Sequence, residues 1–411
     1  MTSNGGDAVT VRRRDKVDIV GMRASNEAML LRRIWQAELV SRAELARETG
    51  LSASTVSSIV GRFAEDGLVR LQEAGPSRGG RPPVMVAFAD DAYCIVGVEM
   101  GATHVTVAVT DLRGRILAEE YTPFATREQA EGTLALLVRS VRSCRARAGA
   151  AGIRCLGVGV AVPSPLDARR PGELSALILP AWQGINLAER LVVALGLPVV
   201  LENDANAGAL AERWFGIGGD DFTFIKVGTG IGAGHVMSGA LYRGATGIAG
   251  EMGHLAIDPA GPPCSCGNRG CLHVLAGTPA LLQLAAAVPG LEHPPTSALE
   301  IVAACNAGAP WAVEIVARLG GWLGIGIAGL VNLLNPSHII LGGEIVQAGE
   351  ALLTPLRASA SARSLLFSAS HVEIRATSLG PAATAIGAGA LMLDRALDDL
   401  SFFVSTAQEV A

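Results

Sequence analysis

Residues 220–244 read DDFTFIKVGTGIGAGHVMSGALYRG. The apolar run before Gly228 and the segment after Gly230 both suit strands, and the glycines between them suit a turn. The same plan stands earlier, at 93–124, in YCIVGVEMGATHVTVAVTDLRGRILAEEYTPF: strand, glycine turn, strand, a turn at Gly114, strand. Glycine loops between strands let backbone amides approach a phosphate. Two copies in matching context predict an internal duplication, with a cleft between two lobes.

Between the copies lies LPVVLENDANAGALAERWFG, residues 197–216. A buried strand is expected to end at Glu202 and a helix to start near Asp204. An Asn203–Asp204 pair at a strand mouth can bind vicinal hydroxyls, and Asp204 could serve as general base on a sugar hydroxyl. Both residues are equally suited to capping the helix. After the second copy, GATGIAGEMGH (244–254) sets Glu251 three residues before His254, so the two can share a face.

The stretch 253–273, GHLAIDPAGPPCSCGNRGCLH, holds three of the chain's seven cysteines. His254, Cys264, Cys266 and Cys271 supply one nitrogen and three sulfurs, the donor set of a structural tetrahedral zinc site. Such an ion holds the loop and orients His254; no open position is implied. The plainer alternatives are reduced cysteines in a mobile loop, or a disulfide.

At the other end, SRAELARETG (41–50) reads as a short helix: Ser41 and Glu44 form a capping box and Gly50 ends it. In LSASTVSSIVGRFAEDGLV (51–69), Val56, Ile59, Val60 and Phe63 give a second helix one apolar face, ended by Gly67. An earlier helix carries Leu30, Leu31, Ile34 and Trp35. This is the pattern of a helix-turn-helix, and LVRL and VMVAF flank a loop, EAGPSRGGRPP, that reads as a basic wing. Ser54, Thr55, Ser58 and Arg62 on the second helix, with Arg78 and Arg81 on the wing, are the expected DNA contacts. A three-helix bundle for protein contacts is the alternative.

The chain of 411 residues, half of them hydrophobic and 17% charged, has room for several domains and a large core. The formal net charge of −5 argues against a uniformly basic nucleic-acid coat, although 13 basic against 11 acidic residues stand in the first 90. The polar N-terminus has no apolar signal region. The apolar stretch GGWLGIGIAGLVNLL is read as too short and glycine-rich to span a bilayer. An odd number of cysteines without an export signal points to a reducing, cytoplasmic setting.

Taken together these segments resemble the ROK family of repressors, open reading frames and sugar kinases, from about residue 20 onward. VGVEMGATH (96–104) and VGTGIGAG (227–234) resemble its phosphate loops, and ENDANAGAL (202–210) its catalytic segment. GIAGEMGH (247–254) and CSCGNRGCL (264–272) resemble its sugar and zinc signature, while NLLNPSHIILGGEI and GPAATAIGAGAL resemble its C-terminal segments. The resemblance implies an α/β chain: a flexible N-terminus (1–20), a winged helix-turn-helix (21–89), and a two-lobed actin-like, ribonuclease-H-like ATPase (ROK sugar-kinase) fold over 90–411 with its zinc loop at 254–271. It implies sugar contacts at Asn203, Asp204, Glu251 and His254, with Asp204 as the kinase base, and phosphate-loop positions Glu99, Gly101, Thr103, Gly228, Thr229, Gly230 and Gly232. His254, Cys264, Cys266 and Cys271 match the zinc ligands.

Departures from the family pattern matter. Its kinases carry Asp where this chain has Glu99, and Glu where it has His273; His235 replaces an aliphatic residue. Asp204 is therefore expected to be a vestigial base, His273 a sugar-specificity element, and ATP and Mg2+ not cofactors. The expectation is a DNA-binding regulator, a repressor by family habit, controlled by a sugar or sugar derivative. It would act on operator DNA as a homodimer or dimer of dimers, with no membrane association. The rival is an active ATP-dependent sugar kinase with an added DNA-binding domain.

Overall fold

A computed structural model describes residues 19–73, 83–149, 153–167, 169–176, 178–365 and 371–405. The chain divides into two compact units, one up to Ala89 together with Arg395 onward, the other Asp90–Asp394.

In the first unit α1 (Ile19–Ala37) leads through β1 (Leu39–Ser41) to α2 (Arg42–Thr49), α3 (Ala53–Glu65), β2 (Val69–Glu73) and β3 (Val84–Phe88). Ser41 accepts from the Glu44 amide while the Glu44 carboxylate accepts from the Ser41 amide, the expected capping box, and Gly50 closes α2 at φ 69°. Ser52 caps α3, which buries Val56, Ile59, Val60 and Phe63. The strands pair antiparallel in the order β1-β3-β2, which makes the helix-turn-helix a winged one. The short strand β1 was not foreseen.

The sequence boundaries put the whole tail in the second body, but residues from Arg395 on cluster with the first. Phe403 is buried edge-on against Phe88, with ring centroids 6.3 Å apart, and Arg32 pairs with Asp398 at 2.7 Å. Burial of the large Phe403 ring accounts for the difference.

The second unit repeats one topology. β4 (Tyr93–Met100), β5 (His104–Asp111) and β6 (Ile116–Pro123) form an antiparallel meander. After α4 (Ala130–Arg147), β7 (Arg154–Val162) lies parallel to β4. After α5 (Leu187–Leu195), β8 (Val199–Asn203) extends that sheet, giving the order β6-β5-β4-β7-β8. Helix α6 (Asp204–Phe215) leads to a second meander, β9 (Phe222–Val227), β10 (Ile231–Met237) and β11 (Ala240–Tyr242). Then come α7 (Leu272–Ala276), α8 (Thr278–Ala286), α9 (Ala298–Asn306), α10 (Pro310–Leu334), β12 (His338–Gly342), α11 (Glu350–Ser361), β13 (Glu373–Ala376), α12 (Ala383–Asp398) and α13 (Ser401–Ser405). The second sheet runs β11-β10-β9-β12-β13, the same order as the first, so the internal duplication is real.

Helix α10 is longer than its sequence suggested. Its 25 residues are long and apolar enough to cross a membrane by length and composition. Its apolar positions are instead spent in the core: Ile315, Val316, Leu319, Leu323 and Ile327 are buried, and Gly320 and Gly324 face α11 closely.

Backbone-on-backbone packing sets the spacing of the two sheets. A Cβ at Gly97 of β4 would lie 1.8 Å from the Ala385 carbonyl oxygen of α12, and one at Gly159 of β7 would lie 1.7 Å from that of Ala388. Gly387 meets the Ala207 carbonyl of α6 in the same way, and Gly234 of β10 that of Ala205. Glycine in a strand commonly marks such an approach. Gly159→Ala is therefore expected to cost at least the ~1–3 kcal/mol typical of overpacking, read as a lower denaturation midpoint; an unchanged midpoint would contradict this packing.

Candidate functional site

At the expected cleft, charged side chains meet from the ends of three elements. Glu99 lies next to last on β4 and is buried; Lys226 lies next to last on β9; Asp204 opens α6. The Lys226 ammonium donates to Glu99 Oε1 at 2.5 Å and to Asp204 Oδ2 at 2.7 Å. His104 Nε2 stands 3.6 Å from the same Glu99 oxygen, its ring stacked on Tyr121 at 5.3 Å. Burial opposes charge on Glu99, but Lys226 and His104 outweigh it and hold the carboxyl at about 2. Burial likewise opposes charge on Lys226, and Asp204 and Glu99 overcome it, so its pKa is raised. Sequence reading missed Lys226; its one signal was a lysine inside the otherwise apolar strand FTFIKV.

Asn203 is the N-cap of α6. Its Oδ1 accepts from the Ala205 amide at 2.9 Å and the Asn206 amide at 3.3 Å, while its Nδ2 donates to Ser164 O at 3.4 Å. The capping alternative is thus realised at Asn203, while Asp204 accepts from the Ala205 amide with Oδ1 at 2.9 Å and from Lys226 with Oδ2. Glu202 fixes the approach: its carboxylate accepts from the Asn203 amide, the Asn206 side chain and Arg243. Glu251 is exposed, yet protein atoms crowd its carboxyl and Asp204 adds to the effect, so its pKa is raised against the pull of His254.

Of the phosphate-loop positions, Gly101 is buried against the His104 ring, and its carbonyl accepts from Thr126 Oγ1. Thr103 is exposed. Gly228, Thr229 and Gly230 make the β9–β10 turn, closed by the Gly228 amide donating to Gly230 O at 2.9 Å. A Cβ at Gly230 would meet nothing within 4 Å, and at Gly228 only the Gly230 oxygen at 4.0 Å. Neither has positive φ. Fold packing does not demand glycine there; a ligand approaching the backbone would. Gly232 sits against Ala205 at the start of α6. His235 is a buried core residue bonded to Thr223 Oγ1 at 2.9 Å, and burial lowers its pKa.

The cysteine loop folds as a small hairpin, bridged Pro263 to Arg269 and Ala256 to Cys271. Gly270 (φ 59°) permits it: a Cβ there would fall 1.6 Å from the Asp258 carbonyl oxygen. The ligand atoms of His254, Cys264, Cys266 and Cys271 all lie within 4.8 Å of one another. Cys264 Sγ is 3.6 Å from His254 Nδ1, and Cys266 Sγ is 3.6 Å from Cys271 Sγ. A tetrahedral ion with metal–sulfur bonds of about 2.3 Å sets its ligands roughly 3.7 Å apart, so the donors fit one metal. The Asn268 amide, helped by Cys264, holds the Cys266 thiol down at about 6, whereas burial pushes Cys271 up to about 12. A bound cation would deprotonate both.

His273, expected as a sugar-specificity element, lies beside the cysteine loop. It packs edge-on against His254 at 4.8 Å, with Nδ1 3.2 Å from Gly253 O and Nε2 3.8 Å from Cys264 Sγ. Its place at the start of α7 turns both nitrogens toward the metal loop, and burial lowers its pKa.

On α3, Ser54 and Ser58 are exposed and Thr55 half-buried; Ser52 hydrogen-bonds both Ser54 and Thr55. Arg62, expected on DNA, donates through Nη2 to Glu27 of α1 at 2.5 Å and keeps a third of its side chain exposed. A half-buried guanidinium is costly without a partner, and Glu27, two helices earlier in the chain, supplies one. Arg78 and Arg81 lie outside the described residues.

The ROK family profile matches residues 95–395, and that of the MarR family, a second match, residues 22–78. The chain belongs to the ROK family. The xylose repressor of Bacillus subtilis (strain 168) is 31% identical over 386 residues, 93% of this chain and 99% of the repressor. A crystal structure of a ROK family transcriptional regulator, described as a homolog of the E. coli MLC protein, superposes with a TM-score of 0.77 at 27% identity, covering 94% of this chain and 98% of that one. A ROK family glucokinase from Streptomyces griseus, solved with glucose and AMPPNP, gives 0.63 at 33% identity, covering 72% of this chain and 98% of the kinase. The regulators match nearly end to end, as expected for a ROK domain behind a winged helix-turn-helix. Both the family and the fold read from the sequence hold.

The cap and any ligand role of Asn203 can be separated. Asn203→Ala is expected to cost about 1 kcal/mol of stability and Asn203→Ser a few tenths, by chemical denaturation. Equal losses would show that the cap is not what Asn203 supplies.

Proposed function

We propose that this chain is a DNA-binding transcriptional regulator, a repressor, whose ROK cleft binds a sugar or sugar derivative and reports its occupancy to the winged helix. The observation that carries this reading is the end-to-end match to a xylose repressor of a chain that joins a winged helix to a ROK cleft. The ligand would lie among Asn203 Nδ2, Asp204, Glu251 and His254, whose Nε2 is the ring atom not turned to the sulfurs. A sugar that binds one arrangement of the cleft better than another shifts the population toward it and changes DNA affinity by the same coupling.

The ion in the loop would be zinc, closed by three thiolates and one imidazole, and structural. The cytoplasm, where thiols stay reduced, suits such a site and the operator DNA. The protein would act as a homodimer or dimer of dimers on half-sites about 34–36 Å apart. Ser54, Thr55, Ser58 and Arg62 would meet the operator, with Arg78 and Arg81 expected from the wing.

A gel shift on the gene's own upstream DNA, repeated over pentoses, hexoses and amino sugars, tests the reading. A sequence-preferring, salt-sensitive complex that one sugar weakens at least tenfold is expected. No such complex, together with sugar-dependent ADP release at rates ordinary for kinases, would favour the kinase reading, for which the retained Asp204 speaks. Ser58→Glu should weaken operator binding at least tenfold and leave sugar affinity unchanged by calorimetry; the reverse would remove α3 from the interface. Cys266→Ser should abolish zinc by elemental analysis and blunt the sugar response. Undiminished zinc would refute the assignment.

A further inference from the structure

A kinase-like cleft implies a divalent metal held by carboxylates and nucleotide phosphates. The residues present do not fit one. Two acidic side chains converge, Glu99 from the first sheet and Asp204 from α6, but the Lys226 ammonium already lies between them at 2.5 and 2.7 Å. Magnesium needs carboxylate oxygens at about 2.0–2.1 Å in a near-octahedral shell. A metal and an ammonium cannot share the space between the same two oxygens. The extra methylene of Glu99 relative to Asp lets its carboxylate reach a lysine on the facing sheet. Side-chain exposure is 14% for Lys226 and 5% for Glu99, so neither charge would be stable there alone.

We propose that Lys226 is a built-in cation: it occupies the divalent-metal position between Glu99 and Asp204, closes the cleft to metal–nucleotide, and holds Asp204 as a hydrogen-bond acceptor for ligand instead of a base. This rests on the reading of the cleft as a ligand-sensing site and specifies how it differs from a catalytic one. One lysine charge against two carboxylates leaves these three groups a net negative charge, which disfavours phosphates; His104, 3.6 Å from Glu99 Oε1, is the other basic group at the pair. Two of the three ammonium protons are used on Glu99 and Asp204, and the third remains for a ligand oxygen. Lys226 is thus a positioning residue acting through Asp204.

Manganese serves as the probe, measured by calorimetry and water-proton relaxation on the full chain without sugar or DNA, so the outcome is independent of whether the chain senses sugars. Wild type is expected to take up no Mn2+ in the cleft at millimolar concentration. Lys226→Met should bind about one per chain at least tenfold more tightly, and Lys226→Met with Glu99→Gln should lose it again. Lys226→Arg should behave as wild type. Mn2+ uptake by the wild type that Asp204→Asn abolishes, or a folded Lys226→Met that takes up none, would overturn the proposal. If Lys226→Met does not fold, the wild type decides alone: no uptake supports the inference, and uptake sensitive to Asp204→Asn contradicts it.

Discussion

The two sheets of the ROK domain are held at the distance at which backbones touch. Gly97 and Gly159 let the carbonyls of α12 rest on the first sheet, Gly387 lets α12 rest on α6, and Gly234 lets α6 rest on the second sheet. Any side chain at these positions would push the layers apart, because close-packed interiors do not deform continuously. The N-terminus of α6 sits between the two sheets in consequence. That is why a carboxylate from α6 meets one ion pair partner on β9 while a second carboxylate reaches the same partner from β4. The meeting of these charged groups thus follows from glycine placement, from Gly97 two residues before Glu99 to Gly387 far along the chain on α12.

Within that frame electrostatics separates sensing from phosphoryl transfer. A base must have a free carboxylate and a nucleotide needs a metal. Here the acidic pair is neutralised in part by a lysine, and both glycine turns are retained. The cysteine loop is separate from this triad: its donors converge through a hairpin made possible by Gly270, and the His273 ring packs edge-on against His254. His254 turns Nδ1 toward the Cys264 sulfur.

Periodic and local features were legible in the sequence. The capping box at Ser41, the apolar face of α3, the duplicated strand–turn–strand units and the Cys-x-Cys loop all depend on residues close together along the chain. What escaped depends on distant partners. Lys226 looked like one polar residue in an apolar strand because Glu99 lies 127 positions earlier. Arg62 lay on the polar face of α3, and only the packing of α1 brings Glu27 to it. The contact of His273 with Cys264 and His254 depends on the turn into α7, which no local pattern announces. The tail beyond Arg395 carries Phe403, whose burial with Phe88 no local pattern announces.

A regulator differs from a kinase in having two ligands that alter each other's affinity. Coupling of binding is reciprocal: if sugar weakens operator binding by a factor, operator weakens sugar binding by the same factor, typically about 5–150-fold. The direct measurement is sugar titration calorimetry on the full chain, alone and saturated with its operator. The account predicts that the sugar dissociation constant rises on the operator by the factor that sugar raises that of DNA. Identical sugar affinity in the two titrations would contradict it.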